Sequence, residues 1–553
     1  MKPENLIKEF GLSALAIKSL DGYASINYKV TTAEGSYILK YYKNPEELEL
    51  IQGEIDSISA VQNQVEIDLP IQKSELKVLS DGSFIRLSSF VEGNFLHEVP
   101  HTSELLEDLG EKIAALNTAQ SSLKNTAIKA RKSKWDLQYT LLNESKLRFI
   151  EDPFDRNIVS YFMDRHHMQV SPIQDSLRSQ VIHGDLNENN ILVDENSLTG
   201  LIDFGDICHS PLINEVAIAL TYIILLNPDN WMESASSVLR GYVGENALRR
   251  QEIELLYQLI ASRLCISVLN SAEAKAENGA TEYILQNEKP AWKTLKTWIR
   301  TNPILVKNTF LKVCGFSIEN PDSETQLAKR KQVASDSLSL SYSEPIHMAS
   351  AAFQYMFDTS GNTYLDAYNN IPHVGHCHPE IAKVISKKAR TLNTNTRYLY
   401  NEYTSYSEKL LAKFPEQLNK LLLVNSGSAA SDLAIRMAKT ITERSFIAVL
   451  EHGYHGNTML GIDASSYKFD GKGGKGKPDN VIKLPLPKEY RGAHSTGKAY
   501  ALEAISILEK HIALGEKPAA FLAEPISGCG GQVPLTKDYL AELKPFLEKH
   551  GIL

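Results

Sequence analysis

The sequence predicts two domains of different class in one chain, an α+β domain followed by an α/β domain built on a parallel sheet. Three observations predict it. Residues 1 to about 90 carry short β-branched and aromatic runs with Gly-containing turns around one helical stretch. From about 101 to 300 helical periodicity dominates. Beyond about 345, apolar strand-like runs alternate with helices, the order that puts helices on both faces of a parallel sheet.

Taken in order, INYKVTT, SYILKYY and FIRLSSFV read as strands of a small sheet, and PEELELIQGEIDSISAVQ as its helix. SELLEDLGEKIAALNTA, INEVAIALTYIILL and EIELLYQLIASRLCISVL read as helices of a second lobe. They are broken by the island QVIHGDLNENNILVDENSLTGLIDFGD, strand-like at its apolar ends and loop-rich between. Residues 301–335 are mixed and polar with no strong period, and read as a linker between domains at 1–300 and 336–553. LLLVNS, FIAVLEH and AAFLAEP then read as strands, ASDLAIRMAKTIT and GKAYALEAISILEKHIAL as helices. DYLAELKPFLEKH reads as a last helix closed by Gly551, with Ile552 and Leu553 opening a further strand, so the chain is expected to stop partway through its second domain.

Lys+Arg 58 against Asp+Glu 67 gives a net charge of -9, with 23% charged and 43% hydrophobic residues. That balance is ordinary for a globular protein and counts against a general nucleic-acid or anionic-membrane binder, which would be basic. The five cysteines, Cys208, Cys265, Cys314, Cys377 and Cys529, are odd in number and show no CxxC spacing. Free thiols in a reducing compartment are expected, not zinc. The N-terminus, MKPENLIKEFGLS, mixes charge signs and lacks the apolar segment of a signal peptide. The longest apolar run, 216–226, is about half a membrane span and reads as a buried helix. The expected compartment is the cytoplasm, with no membrane partner.

HGDLNENNIL places His183, Asp185 and Asn190 in one loop, and LTGLIDFGD delivers Asp203 at the end of the next strand. Phosphoryl transfer from ATP needs a carboxylate to orient a hydroxyl nucleophile, plus oxygen ligands that hold Mg²⁺ on the phosphates. Asp185 fits the first role, Asn190 and Asp203 the second. Lys40 lies in SYILKYY and Glu54 on the following helix, where an ion pair would hold the lysine against the α- and β-phosphates; Glu47 and Glu49 sit on the same helix. DGYASIN, ahead of Tyr28, would cover the phosphates with one glycine and no GxGxxG. A lone loop aspartate is usually a turn residue and a lone strand lysine is usually solvated, but two coupled motifs at this separation are hard to obtain by chance. HxDxxxxN followed by DFG, with a strand lysine upstream, resembles the aminoglycoside phosphotransferase and choline kinase family, relatives of protein kinases. WDL at Trp135, LGEKIAALN from Leu109 and YILQNEKPAW from Tyr283 extend the resemblance over about 5 to 300. The resemblance implies a protein-kinase-like α+β fold, Asp185 as catalytic base, Asn190 and Asp203 as Mg²⁺ ligands, ATP as donor, and a small hydroxyl acceptor such as an amino alcohol.

LLLVNSGSAASDLAIRMA is a strand, a turn and a helix, so the amides around Gly427 and Ser428 face whatever lies beyond the helix N-terminus. Such a turn binds phosphate, or is simply capped by a serine. YLDAYNNIPHVGHCHPEI, LNTNTRYLYNEY, HGYHGNT and FLAEPISGCGG resemble the class III aminotransferase family of pyridoxal phosphate enzymes over about 330 to 553. NNIPHVGHCHP with LNTNTRYL resembles its phospho-lyase branch, which acts on phosphorylated amino alcohols. The resemblance implies an α/β pyridoxal-phosphate-dependent transferase fold, incomplete here. It also implies Gly427 and Ser428 on the cofactor phosphate, Tyr454 stacked on the pyridine ring, Glu524 lining the site, and a homodimer through the C-terminal domain when complete. The family's SGSEAN is SGSAAS here, with Ala429 and Ser431 in place of the acid and the amide. The carboxylate for the pyridine nitrogen and the Schiff-base lysine are expected beyond Leu553. Lys468, Lys472, Lys475 and Lys477, in a glycine-rich polar stretch, do not replace that lysine, so this half is expected to be inactive as it stands.

A hydroxyl is a poor leaving group and a phosphate a good one. The expected function is therefore ATP-dependent phosphorylation of an amino alcohol by the first domain, serving a pyridoxal phosphate phospho-lyase or aminotransferase domain that follows. Two readings of other kinds stand beside it: a class III transaminase with a regulatory or degenerate kinase domain, and a remnant that only binds or dimerises.

Overall fold

The computed structural model describes residues 3–20, 25–44, 47–279, 282–318, 323–369 and 373–553, without the side chains of 278 and 282–287. The chain separates into two compact units, Met1–Asn393 and Thr394–Leu553.

The first unit opens with β1 (Ala16–Leu20), β2 (Ile26–Thr32), β3 (Gly35–Tyr42), β4 (Lys77–Val78) and β5 (Phe84–Ser89). They form one antiparallel sheet in the order β1-β2-β3-β5-β4. Strand alternation sorts its two faces. Val30, Leu39, Ile85 and Leu87 bury with Leu6 and Ile7, while Tyr42 and Phe84, stacked at 4.8 Å, meet Ile51 and Ile55 of the helix Leu48–Val61. This is the expected sheet with one helix.

The expected helical lobe follows, with Ser103–Gln120, Pro153–Gln169, Leu212–Leu226, Trp231–Glu245 and Leu256–Asn278 as its long helices. Leu109, Ile113, Ile158, Val216, Leu239 and Leu264 are at most 1% exposed in its core. The helices Ser103–Gln120 and Trp231–Glu245 approach closely because each carries a glycine at the contact. A Cβ on Gly110 would lie 2.1 Å from Val238 O, and one on Gly241 1.9 Å from Glu107 O. The strand-like island resolves into β7 (Ser179–Ile182), β8 (Ile191–Asp194) and β9 (Ser197–Leu201), which are joined by β6 (Asn94–Phe95) from before it and β10 (Cys208–Pro211) from just after it. β7 pairs with β10, and β8 lies between β6 and β9. The run 216–226 lies in a buried helix, and among the described residues no helix is long and apolar enough to cross a membrane.

Residues 301–335 depart from the linker expectation. Pro303–Val313 is a helix, capped by Asn302 and started by its proline, and Val306, Phe310 and Leu311 enter the core of the lobe. Ser323–Val333 is a second helix with no buried residue, and 319–322 lie outside the described residues. β11 (Met348–Ala352), β12 (Tyr355–Asp358) and β13 (Thr363–Leu365) then form an antiparallel sheet inside the first unit. Ala352, Phe353 and Phe357 join the same core, and Asn302 Nδ2 donates to the carbonyls of Asp358 and Asn362 at 3.0 and 2.8 Å.

The second unit holds the expected parallel sheet, β14 (Phe446–Leu450), β15 (Val481–Leu484) and β16 (Pro518–Leu522), in the order β15-β14-β16. Along β14, Ile447 and Val449 enter one core and Ala448 and Leu450 another, the alternation of a strand covered on both faces. Leu553 N donates to Ala519 O at 3.0 Å and Phe521 N to Leu553 O at 2.9 Å, so Leu553 bonds to β16, although the strand expected to open at 552–553 is not formed. LLLVNS is not a strand. Residues 421–426 run outside any ladder, with Leu422, Leu423 and Val424 exposed, because the strands of this sheet pair with one another and with Leu553 instead.

Candidate functional site

β7 hands the chain to a buried turn at its Ile182 end. Glu215, 0% exposed, accepts from the amides of His183 and Gly184 at 2.8 and 2.9 Å and so fixes the turn from below. His183 Nε2 lies 3.0 Å from Ile202 O, and its ring is 4.4 Å from that of Phe204, which ties the turn to the strand end bearing Asp203. Gly184, at φ 82, passes so near that a Cβ would meet Asp206 O at 2.5 Å. Arg131 Nη1 donates to the carbonyls of Gly205 and Ile207 at 2.7 and 2.9 Å, and Asp203 adopts a left-handed backbone at φ 56.

This scaffold gathers Lys40, Asp185, Asn190 and Asp203. Lys40 Nζ lies 3.0 Å from Asp203 Oδ1. Burial works against the Lys40 charge, but Asp203, then Tyr42 and Glu54, more than reverse it and hold the ammonium above its usual range. Lys40 in turn holds the Asp203 carboxyl below its ordinary value. Asp185 Oδ1 accepts from Arg263 Nη2 at 2.5 Å, and Oδ2 from Asn187 Nδ2 and Asn190 Nδ2 at 2.8 and 3.0 Å. Burial raises the Asp185 carboxyl, with the Arg263 guanidinium opposing.

Glu54 departs from its expected place as the partner of Lys40. Its Oε1 accepts from Arg86 Nη1 at 2.6 Å, with both side chains at most 4% exposed. Lys40 and Arg86 face each other across β3 and β5, so one carboxylate meets two cations and the guanidinium takes the bond, while Lys40 turns to Asp203. The part of the DGYASIN loop at 21–24, expected over the phosphates, lies outside the described residues.

The donor set fits Mg²⁺. Asn190 commits its amide nitrogen to Asp185, which leaves its oxygen as the ligating atom, and the Asp203 side chain is 55% exposed. Among the described residues no group of three or more His, Cys, Asp or Glu gathers for a metal. Mg²⁺ on a nucleotide needs only one or two carboxylates beside phosphate and water oxygens. The sequence reading missed Arg263 and Glu215. Both were signalled by a charge inside an apolar helical run, ASRLCISVL and INEVAIALTYIILL, where a buried ion must have a partner.

In the second unit, Ser426 Oγ accepts from Ala429 N at 3.1 Å and caps the helix Gly427–Thr442. A Cβ on Gly427 would meet nothing within 4 Å, so the approach to the Gly427 and Ser428 amides is open, as a phosphate requires, while the Ala429 amide is taken by Ser426. Ser428 Oγ accepts from Asn457 N at 3.1 Å, and Gly456, at φ 121, comes so near that a Cβ would lie 2.8 Å from Ser428 Cα. Glu524 Oε1 accepts from Tyr454 N at 2.9 Å and Oε2 from Gly528 N at 3.2 Å. Gly427, Ser428, Tyr454 and Glu524 thus belong to one connected set of turns. Lys468, expected in a glycine-rich surface stretch, sits in the short helix Ser466–Phe469 with its ammonium 5.6 Å from the Tyr454 ring centre. His455 is 7% exposed, and its Nε2 has no hydrogen-bond partner among the described residues. Open amides beside an aromatic ring and an orphaned buried nitrogen fit the phosphate and ring of pyridoxal phosphate.

Residues 17–250 match the phosphotransferase enzyme family, and residues 341–553 match aminotransferase class-III. The chain joins a phosphotransferase domain to a class-III aminotransferase domain. The alanine–glyoxylate aminotransferase 2-like protein of Drosophila melanogaster is 39% identical over 221 residues, 38% of this chain and 45% of that protein. The ethanolamine-phosphate phospho-lyase homolog 1 of Caenorhabditis elegans is 35% identical over 243 residues, 41% of this chain and 52% of that protein. The chain spans about half the length of these curated relatives. Amicoumacin kinase hAmiN, solved with AMP-PNP, Ca²⁺ and Ami, is similar at 17% identity and a TM-score of 0.43, over 54% of this chain and 94% of that one. The class-III match begins at 341, so its first part lies in the same compact unit as the phosphotransferase domain. Arg263, which grips Asp185, lies beyond the phosphotransferase match.

Proposed function

We propose that the phosphotransferase domain phosphorylates an amino alcohol with ATP, and that the class-III domain serves elimination of the phosphate so installed. The observation that carries the reading is the convergence of Lys40, Asp185, Asn190 and Asp203 in one site. A carboxylate offers about four lone-pair sites. Arg263, Asn187 and Asn190 take three on Asp185, which leaves one for the acceptor hydroxyl. As the acceptor oxygen bonds to the γ-phosphorus, the bond from that phosphorus to the ADP oxygen breaks and the hydroxyl proton passes to Asp185. Lys40, kept charged by Asp203, holds the α- and β-phosphates. Mg²⁺, held by Asn190 and Asp203, would neutralise charge on the phosphate oxygens.

In the class-III domain the amides at Gly427 and Ser428 would bind the phosphate of pyridoxal phosphate, and Tyr454 would cover its ring. When bound, that group supplies an electron sink at the carbon bearing the amine. Glu524, fixed by two backbone amides, lines the same set of turns. The net reaction takes a phosphorylated amino alcohol and water to an aldehyde, ammonia and inorganic phosphate. The 35% identity to a phospho-lyase homolog supports phosphate elimination as the class-III step.

The test incubates the full chain with ATP, Mg²⁺ and a panel of amino alcohols and follows phosphorus by NMR. A new phosphomonoester that appears with ADP is the expected result. ATP consumed only to ADP and inorganic phosphate, with no ester from any acceptor, would overturn the reading. For the second half, amino transfer to a keto acid without phosphate release would favour a transaminase.

A further inference from the structure

Around the phosphotransferase base, each of three carboxylates has its own cation: Asp203 has Lys40, Asp206 has Arg131 and Asp185 has Arg263. Glu188 stands apart. It lies in the same turn as Asp185, held by Asn190 N donating to Asn187 O at 3.0 Å, and the Arg263 guanidinium, the Asp185 carboxyl and the His97 ring are the titratable groups near enough to act on it. Its Oε2 is buried and has no hydrogen-bond partner among the described residues. Arg263 does not supply one. Its Nη2 is committed to Asp185 and to the Tyr222 hydroxyl, at 2.5 and 3.0 Å, and its Nη1 to Trp135 O at 3.0 Å. Its Nε, on a side chain 2% exposed, is itself unpartnered.

Two orphaned polar atoms therefore belong to side chains whose charges act on the Asp185 carboxyl, one needing a donor and the other an acceptor. Leaving either unmet is costly in a buried place. A ligand that satisfies both must carry a charged donor and a hydroxyl or ether oxygen within one short molecule. We propose that Glu188 is the anchor for the ammonium group of the acceptor, so that this site selects an amino alcohol over a neutral alcohol of the same shape. The proposal rests on the phosphotransferase reading of the site and names the part of the acceptor that is recognised. A carboxylate on an ammonium discriminates strongly because the neutral analogue leaves the buried oxygen unpaired.

The experiment measures binding to the full chain in the presence of AMP-PNP and Mg²⁺, using ethanolamine and 1-amino-2-propanol beside ethylene glycol and propane-1,2-diol. The wild-type chain is expected to bind each amine at least about tenfold tighter than its diol. Glu188→Gln, isosteric and with no Oε2 bond to lose, is expected to erase that preference, and Glu188→Asp to keep part of it. Equal binding of amines and diols by the wild-type chain overturns the proposal, as does a Gln variant that keeps the preference. ATP turnover is read in parallel. Glu188-dependent amine binding without turnover sinks the kinase reading and leaves the anchor standing, while turnover indifferent to Glu188 does the reverse.

Discussion

Asp185, the base of the proposed phosphoryl transfer, is also the partner of a buried cation. Arg263 is 2% exposed and pairs with it at 2.5 Å, so removing the carboxylate strands a buried guanidinium. Breaking one side of a buried pair costs about 3–5 kcal/mol. Asp185→Ala would therefore confound lost chemistry with lost stability. Asp185→Asn keeps an acceptor for Arg263 and removes the base. It is expected to lower single-turnover phosphoryl transfer by at least about 100-fold, with a melting temperature much closer to wild type than that of Asp185→Ala. An undiminished rate in the Asn variant would falsify the base assignment. That His183, Asp185, Asn190 and Asp203 come together was legible because the motif spacing puts them on one turn and at the end of the strand after it. Arg263 was not, since its partner lies 78 positions away and only its place in an apolar run marked it. Glu54 was legible as an acid on the helix after Lys40, but its partner depended on a strand register that placed Arg86 opposite Lys40.

Two long helices of the phosphotransferase lobe meet through a polar contact in an apolar core. His166 of Pro153–Gln169 is 1% exposed, and its Nδ1 lies 2.9 Å from Ser262 Oγ of Leu256–Asn278. Burial pushes the imidazole down to about 4 from its ordinary 6.5, with His167 adding to the shift. The unfolded chain then takes a proton near 6.5 that the folded chain refuses until about 4. The His166 contribution to stability is complete above 6.5 and is lost as the pH falls through that window. The wild-type melting temperature should drop between pH 7 and pH 5, and His166→Gln should drop less; equal drops would remove His166 from the account. Leu256–Asn278 was legible because its apolar period is long and unbroken. LLLVNS has strand composition but no strand beside it, and a strand is completed by its neighbour and not by its own residues. The helix Pro303–Val313 was not legible as part of the lobe because it is short and opens a stretch, 301–335, whose remainder is polar; Val306, Phe310 and Leu311 carry its contact with the core.

Where the phosphotransferase fold ends is decided by packing and not by family. The class-III match starts at 341, yet β11 to β13 belong to the first compact unit. Phe353 is the centre of that attachment. It is 4% exposed, and its ring lies 6.0 and 5.7 Å from those of Phe154 and Tyr161 on the helix Pro153–Gln169. Its backbone exchanges hydrogen bonds with His376 at 2.8 and 2.7 Å, and Gly375 is required there, since a Cβ would lie 2.6 Å from the Phe353 carbonyl carbon. If this sheet completes the phosphotransferase core, Phe353→Ala in the full chain should destabilise the first unit by about 3–5 kcal/mol. The readout is amide hydrogen exchange in Pro153–Gln169, which should accelerate together with exchange in β12. Leu365→Ala, at a site 68% exposed on β13, should leave both unchanged. If Phe353→Ala accelerates exchange in β12 while the helix keeps its protection, the sheet is a passenger and the phosphotransferase fold is complete without it.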